Sequence, residues 1–263
     1  MSPQSKRVAN AEAVRELVDS AFAARYQDLE AMLNLSSKGV ALAEEKRHEI
    51  PVDLLVAAWT QYGNALRIAG RFQEAERALA HAAAQSAVDT PTRIHLLEIT
   101  ASLRRNTKRF ETAANLLTSA LEAQKSIGDS DGEARLHNLL GIVYRDWGNL
   151  AMAFRSFQNA MDLLGPDTPP DVVVSTGHNF FQTLIDAGRL EAAAAALVIL
   201  EPYYRRLTSA RIAAKAEWMR ARLCRAMNQL PAAKLAYERA YALLSTEPRS
   251  PELAELAKEM AEI

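Results

Sequence analysis

The string closest to a catalytic motif is 128–132, Gly-Asp-Ser-Asp-Gly, which matches the G-x-S-x-G pattern of the α/β-hydrolase nucleophile elbow. That motif activates its serine only on a sharp strand-to-helix turn, beside backbone N–H groups that bind an oxyanion. Here the flanking residues have helical periodicity, and Ser, Asp and Gly are typical of an exposed turn between helices. We therefore interpret the string as a turn and keep a serine hydrolase as the remote alternative.

Metal and thiol chemistry find no support in the residue spacing. The five histidines form no H-x-x-x-H or H-E-x-x-H pattern: His48, His81, His95, His137 and His178. Cys224 is the only cysteine, so an intrachain disulfide is impossible and a reducing compartment is expected. The sequence predicts no catalytic residue, no metal and no cofactor, and hence a protein that is not an enzyme.

Composition and charge narrow the range of partners. The chain has 263 residues, is 49% hydrophobic and carries a net charge of -1, which gives no global attraction to nucleic acid or to an anionic membrane. Its longest apolar run, residues 192–200, is too short for a membrane span, which needs roughly 20 residues. No apolar segment of the signal-peptide type follows the first residues. We therefore predict a cytoplasmic protein that binds neither nucleic acid nor membrane.

A repeat with a period near 40 residues is the dominant pattern. Five short turn-like strings begin 38, 40, 40 and 40 positions apart, and an alanine follows each of them at a fixed distance. The strings begin at Gly70, Lys108, Gly148, Gly188 and Asn228, and the alanines are Ala75, Ala113, Ala153, Ala193 and Ala233. Such a period indicates stacked supersecondary units, each of which buries its apolar face against its neighbours.

Apolar positions with helical spacing predict an all-α chain of antiparallel helical hairpins, each with a first helix A and a second helix B. The predicted A helices lie near 54–69, 92–106, 132–147, 170–187 and 209–227, and Pro202 is expected to interrupt a B helix. We predict a disordered N-terminus at 1–9 and a single superhelical domain over 10–263. That domain divides into a degenerate first hairpin at 10–50, five units over 51–247 and a capping helix at 251–263.

The repeats resemble those of the tetratricopeptide-repeat (TPR) family, in its long-period bacterial form. The family's small residue in helix A corresponds to Gly63, Ala101, Gly141, Phe181 and Ala221, and its large residue in helix B to Leu79, Leu117, Phe157, Leu197 and Tyr237. Unit four departs from the pattern, since Phe181 and Leu200 are bulky where small residues are expected. The resemblance implies a solenoid forming a curved right-handed superhelix, and a role in binding proteins or peptides. Trp59 and Trp147 are expected to pack between helices.

In TPR proteins, one face of the A helices lines the concave groove. Transferred to this chain, the resemblance implies a partner-binding groove with the residues Asn64, Arg67, Arg105, Arg135, Asn138, Arg145, His178, Gln182, Trp218, Arg222 and Arg225. All the transferred positions together hold seven Lys or Arg and three Asp or Glu, a charge of +4 in a chain of net charge -1. Arginine suits bidentate recognition of carboxylates, so these side chains either bind a ligand or pair with acids of the next repeat.

The leading interpretation is a non-enzymatic TPR scaffold or adaptor that binds a partner protein or peptide, through an acidic or C-terminal segment, in its concave groove. The alternative is a ligand- or peptide-sensing regulatory TPR module that acts on a separate effector chain.

Overall fold

A computed structural model describes residues 3–25, 28–86, 88–207, 209–245 and 251–262. In these residues the chain forms thirteen α-helices and no strand. Their bounds are α1 Pro3–Ala24, α2 Leu29–Glu45, α3 Val52–Ile68, α4 Phe72–Ala83, α5 Thr90–Asn106, α6 Phe110–Ile127, α7 Ser130–Asp146, α8 Leu150–Leu163, α9 Pro170–Asp186, α10 Leu190–Arg206, α11 Ala210–Ala226, α12 Leu230–Leu244 and α13 Pro251–Met260.

The helices pair as hairpins within two compact units, unit 1 at Met1–Asp129 and unit 2 at Ser130–Ile263. Unit 1 stacks the hairpins α1/α2, α3/α4 and α5/α6, and unit 2 stacks α7/α8, α9/α10 and α11/α12 and ends with α13. Neighbouring A helices also touch within each unit, α3 with α5 and α9 with both α7 and α11. The predicted all-α solenoid of antiparallel hairpins is confirmed in this form, and the single domain over 10–263 stays a prediction.

The same backbone turn closes five of the A helices. In each, an N–H bonds back to the carbonyl five residues earlier, as from Arg71 to Leu66 at 2.9 Å and from Gln229 to Cys224 at 2.8 Å. This is the Schellman arrangement, which requires a left-handed residue just before the donor. Glycine fills that place in three turns, whereas Lys108 and Asn228 adopt it with φ of 58° and 59°. The repeated strings of the sequence are therefore helix-ending turns.

Small residues let the two helices of a hairpin approach closely. A Cβ built on Gly141 would lie 2.5 Å from the Phe157 ring, and Ala153 in the same hairpin is fully buried. Met32, which takes the alanine's place in the first hairpin, is fully buried as well. The close approach of helices explains why the sequence repeats small residues at these sites.

The hairpin α9/α10, which is the fourth repeat of the sequence, keeps this close approach by moving it one helical turn along α9. Phe181 and Leu200 are both buried in the core of α9, α10 and α11, although the repeat pattern expects small residues there. Gly177 supplies the space instead, because a Cβ at this position would lie 2.3 Å from Leu200. The small and large partners have therefore shifted together, and the hairpin is preserved.

Pro202 does not interrupt its helix, and this sequence expectation is wrong. Helix α10 runs continuously from Leu190 to Arg206 with Pro202 inside it. Proline removes one N–H, and the partner of that group would be the carbonyl of Val198 one turn earlier. Both Pro202 and Val198 are exposed, so water can satisfy that carbonyl and the helix continues.

The expected disorder of 1–9 is also wrong for residues 3–9, because α1 begins at Pro3. No glycine or proline interrupts residues 4–24, and Asn10 Nδ2 donates to Glu49 Oε2 at 2.7 Å, which ties the helix to the end of its hairpin. Outside the described residues lie 1–2 of the segment predicted at 1–9, 26–27 of 10–50, 87, 208 and 246–247 of 51–247, and 263 of 251–263. Within the described part, no helix is both long and apolar enough to cross a membrane.

Candidate functional site

The A helices of unit 2 present a ladder of polar side chains, which we call the A-helix face of unit 2. It comprises Asn138, Arg145, His178, Gln182, Lys215 and Arg222 of α7, α9 and α11. Asn179 Nδ2 donates to Asn138 Oδ1 at 3.0 Å, and Arg222 donates to Gln182 Oε1. The bonded residues are 41 and 40 positions apart. The period of the sequence is therefore the interval between side chains that meet across neighbouring A helices.

Arg222 is the most heavily engaged residue of this face. Its guanidinium lies 4.7 Å from the centroid of the Trp218 ring, and its Nε donates to the Glu259 carboxylate at 3.1 and 3.0 Å. Nη2 also reaches Glu255 Oε1 at 3.3 Å. Burial disfavours the charge of Arg222, but the hydrogen bond and the charge of Glu259 outweigh it and raise the pKa of Arg222. Arg222 thus already binds carboxylates, both of them from α13.

Trp218 is not open to a ligand, contrary to its expected place in the groove. Its side chain is buried in the core of α11, α12 and α13, with 6% of its surface exposed. Its Nε1 donates to Glu259 Oε2 at 2.8 Å, and the Tyr237 hydroxyl donates to the same oxygen at 2.8 Å. Trp218 therefore lies on the same face of α11 as Arg222, but α13 covers its indole.

Arg225 extends the same arrangement by one turn. Its Nη1 lies 3.3 Å from Glu262 Oε2, and both side chains reach the surface. Beside them, a cavity of about 440 Å³ is lined by Gln182, Ile185, Asp186, Arg222, Arg225, Ala226 and Glu259. At this end of unit 2 the arginines pair with acids, but these acids belong to α13 and the residues just after it and not to a further repeat.

His178 differs from the rest of the ladder. Part of its side chain reaches the surface, but its Nδ1 is enclosed and has no hydrogen-bond partner among the described residues. Burial, and then the charges of Lys215, Arg222 and Arg145, lower the pKa of His178 to about 4. The imidazole is therefore neutral at pH 7 and lies in a positive field.

The other cations predicted on α7 lie at different depths. Arg135 is exposed near the start of α7, and Arg145 near its end is half-buried. The guanidinium of Arg145 lies 5.8 Å from the centroid of the Phe157 ring. Trp147, which was expected to pack between helices, is 46% exposed and stacks on Tyr144 with ring centroids 6.3 Å apart.

Unit 1 holds the remaining predicted residues. Asn64 is buried, and its Oδ1 accepts from Arg67 Nη2 at 2.8 Å. Arg67 Nη1 also donates to Asn106 Oδ1 of α5 at 3.0 Å, and the two residues are 39 positions apart. Arg105 lies half-buried near the end of α5. Unit 1 thus places Asn64 and Arg67 together and links them to the next repeat through an amide.

The hydrolase-like string lacks the backbone context of a nucleophile elbow. Gly128 ends α6 in the left-handed conformation, with φ of 75°, and Ser130 begins α7. The segment therefore joins two helices, whereas the elbow joins a strand to a helix. Among the described residues, no group of three His, Cys, Asp or Glu side chains could hold a metal ion.

A larger cavity lies on the opposite side of α11. It measures about 590 Å³ and is lined by residues that include Glu201, Tyr204, Leu207 and Arg220. Arg220 Nη2 lies 2.9 Å from Glu201 Oε1, and its Nη1 donates to Glu217. Arg220 thus pairs with one acid of α10 and one of α11 beside this cavity.

Sequence reasoning missed the acids of α13 and the hydroxyl of Tyr237. Glu252, Glu255 and Glu259 recur at helical spacing, and Glu252 and Glu259 lie 41 residues after Arg211 and Trp218. That interval equals the period of the ladder, so the pairing could have been predicted by extending the repeat into α13. Tyr237 fills the large-residue site of helix B, and nothing in the sequence indicates that its hydroxyl reaches Glu259.

No family model and no curated protein sequence matches the chain. Solved structures do match it at low identity. BtubC (BKLC) from P. vanneervenii is 16% identical, with a TM-score of 0.69, over 86% of this chain and 94% of that one. The Rap protein complexed with Competence and Sporulation Factor is 12% identical, with a TM-score of 0.65, over 98% of this chain and 70% of that one.

A third likeness is to a signal transduction ATPase from Pyrococcus horikoshii that is described as having a tetratricopeptide repeat sensor. It is 14% identical, with a TM-score of 0.62, and the match covers 96% of this chain and 44% of that one. At such identities the likeness shows the fold. The helical hairpins, their period and these likenesses together show a TPR-like fold, as the residues of the repeat had predicted.

Proposed function

We propose that this chain is a non-enzymatic TPR scaffold that binds an acidic segment of a partner protein on the A-helix face of unit 2. The observation that carries the proposal is the engagement of Arg222 by the carboxylates of Glu255 and Glu259. A helix that bears glutamates already lies against one edge of this face. The cations Arg145 and Lys215 add positive charge to the rest of the face.

The amide side chains of the face suit an extended segment. Asn138, Asn179 and Gln182 lie in the same ladder as the cations, and each amide offers both a donor and an acceptor. Such groups can bond a peptide backbone while the cations bind its carboxylates. The combination favours a partner segment rich in Asp and Glu.

The likenesses support a binding role for this fold. The structure of Rap is that of a complex with Competence and Sporulation Factor, so a protein of this fold binds a partner. The P. horikoshii protein uses its repeats as a sensor. A regulatory module that acts on a separate effector chain is the second form of our proposal, and it needs the same partner-binding face.

The test uses charge reversal on the A-helix face. A fluorescein-labelled peptide of alternating Glu and Ala is titrated with the protein and followed by fluorescence anisotropy. We expect the double variant Arg145→Glu with Lys215→Glu to weaken binding by more than about tenfold, because two attractive charges become repulsive. Binding to the wild type should also weaken as salt rises from about 50 to 300 mM, since exposed charges are screened.

The matched control is the double variant Lys234→Glu with Arg239→Glu, which makes the same change of charge on the exposed side of α12. It should bind like the wild type. Equal binding of a Gln-Ala peptide, or equal loss in the control variant, would contradict the proposal. Circular dichroism of each variant shows whether the helices remain intact.

A further inference from the structure

Helix α10, the B helix of the fourth repeat, carries an apolar stripe on its exposed side. Val198 is 70% exposed and Ile199 is 60% exposed. The stripe continues along the helix through the exposed residues Ala192, Ala195 and Pro202. Water is in contact with all of this apolar surface in the single chain, and burial against a partner would remove that contact.

The other B helices do not carry two large apolar residues at the places that match Val198 and Ile199. Counted from the buried alanine of each B helix, or from Met32 in α2, these places lie five and six residues further along the chain. All the matching residues are exposed, and they are Ser37 and Lys38 in α2, Ala80 and His81 in α4, Thr118 and Ser119 in α6, Gln158 and Asn159 in α8, and Glu238 and Arg239 in α12. The repeat fold therefore does not require apolar residues there, and their presence in α10 indicates a contact outside the hairpin.

The stripe is symmetric about the midpoint between Val198 and Ile199. Reversing the direction of α10 about that point exchanges Val198 with Ile199, and it exchanges Ala195 with Pro202. A second copy of the helix, laid antiparallel to the first, therefore places apolar residues against apolar residues across a twofold axis. Such a self-complementary patch is what an isologous dimer requires. The short side chain of Ala195 also lets the two helix backbones approach closely.

The charged ends of α10 have the same symmetry. Reversal exchanges Glu191 in the first turn with Arg206 in the last turn, and each lies about 11 Å along the helix from the midpoint. Both are exposed, and so is Arg205. The 3.0 Å pair of Arg205 with Glu201 is at the surface and contributes little. A cavity of about 460 Å³ lined by residues 188–192 gives room beside Glu191. In an antiparallel pair, the acid of each helix meets the two arginines of the other.

We propose that this face of α10 is a homodimer interface, in which two copies of the chain pair antiparallel about a twofold axis between Val198 and Ile199. Pro202 leaves the Val198 carbonyl without its helical donor, and we expect a bridging water to serve that carbonyl in the pair. An anionic membrane fits the face less well, because it would repel Glu191. The interface uses none of the residues of the A-helix face of unit 2, so it and the proposed function can fail separately.

The first test places a charge at the axis. A pair of single helices buries little surface and belongs to the weak class of interfaces, so sedimentation equilibrium is measured at about 1–300 µM protein. The mass of the wild type should approach that of a dimer at the upper end. Ile199→Glu brings two carboxylates together across the axis and should weaken dimerisation by more than about tenfold. Glutamate at an exposed helical position should leave the fold intact.

Asn159→Glu is the matched control, because Asn159 is exposed on α8 at the place that Ile199 has on α10. This variant should dimerise like the wild type. A wild type that stays monomeric over the whole range would overturn the inference, and so would an equal loss in the control. A monomeric wild type that binds vesicles of anionic lipid would overturn it in favour of a membrane surface.

The second test exchanges the charged ends and is specific for the antiparallel arrangement. Glu191→Arg sets arginine against the two arginines of the other copy. The double variant Arg205→Glu with Arg206→Glu sets acid against acid, so each protein alone should dimerise more weakly than the wild type. Mixing the two restores opposite charges at both ends, and they should associate about as tightly as the wild type does.

Energy transfer between separate fluorescent labels on the two proteins measures this association. A mixture that associates no better than either protein alone would overturn the antiparallel pairing, as would variants that dimerise like the wild type. Circular dichroism of each variant checks that α10 remains helical.

Discussion

At the scale of single residues, the repeat sets the face on which a side chain lies but leaves its partner undefined. The predicted arginines do lie on A helices, and Arg67 reaches the next repeat through Asn106. Arg222 instead pairs with Glu259 of α13, and Arg225 with Glu262 just after that helix. Position follows from periodicity, whereas pairing depends on which side chain the neighbouring helix presents.

The buried alanine of helix B is the most sensitive of the single sites. Ala153→Glu would place a carboxylate in a fully buried position between α7 and α8. We expect the free energy of unfolding to fall by about 3 kcal/mol or more, because the charge has neither room nor a partner. Urea denaturation followed by circular dichroism measures the loss.

Ala151→Glu is the control, since Ala151 is exposed on the same helix. Its effect should stay within about 0.5 kcal/mol. Similar losses for both variants would show that the assigned register of α8 is incorrect. Met32 is also fully buried, so a charge there should be as damaging as at Ala153, contrary to what its departure from the repeat pattern suggests.

At the scale of helices, close packing outweighs intrinsic propensity. Gly141→Ala adds a methyl group that would meet the buried Phe157 ring at 2.5 Å. We expect a loss of about 1–3 kcal/mol from overpacking, although alanine favours helix. Gly39→Ala, whose Cβ would lie 3.5 Å from Leu17, should instead stabilise by about 0.5–1 kcal/mol. Thermal unfolding of both variants checks the opposite signs, and the same sign in both would contradict this account.

Helix α13 depends on one carboxylate more than on the others. Glu259→Ala removes the acceptor shared by Trp218, Arg222 and Tyr237, and should lower stability by about 2 kcal/mol. Glu255→Ala loses a single contact from a side chain that is 61% exposed, and should change stability by less than about 0.5 kcal/mol. Guanidinium unfolding curves compare the two variants. A loss as small for Glu259→Ala would show that the shared acceptor is dispensable.

Sequence alone predicts the helices of this fold closely. The A helix expected at 54–69 runs from Val52 to Ile68, because proline and the turn strings bound the apolar periodicity. Prediction from sequence fails where two departures from the repeat pattern compensate each other, as with Gly177 and Leu200. No single position shows that the small and the large partner have moved together. It also fails at His178, whose enclosure depends on three helices at once.

At the scale of the whole chain, a near-neutral total hides local charge. A net charge of -1 is compatible with a positive field in one part of the chain. In unit 2, three cations add to burial in lowering the pKa of the His178 imidazole. This arrangement makes stability depend on pH. The folded pKa of His178, about 4, lies below its ordinary value of 6.5, so the unfolded chain binds more protons between these limits.

Stability should therefore be full above about pH 6.5 and fall as the pH drops toward 4, by up to about 1.4 kcal/mol per pH unit. Comparing the free energy of unfolding of the wild type and His178→Gln at several pH values isolates this contribution. The two curves should run together above pH 6.5. Below it, the wild-type curve should fall progressively further than the curve of His178→Gln, because only the wild type has the histidine. Parallel curves would show that His178 titrates normally. Glu259, whose pKa is lowered despite its burial because Arg222 and Trp218 donate to it, adds a further loss only below about 4.5.

The one-period spacing of the side-chain bonds has a consequence for how such a chain can evolve. Four of the bonded pairs lie 39 to 41 residues apart, from Arg67 and Asn106 in unit 1 to Trp218 and Glu259 in unit 2. A duplication or deletion of one whole repeat would leave the remaining intervals intact, so the gene can change length in steps of about 40 codons. An insertion of one codon within a helix would instead misalign every later rung of that helix. Selection should therefore confine small insertions to the loops between hairpins. Successive turn strings have one such loop between them, and their spacing already varies from 38 to 40 residues.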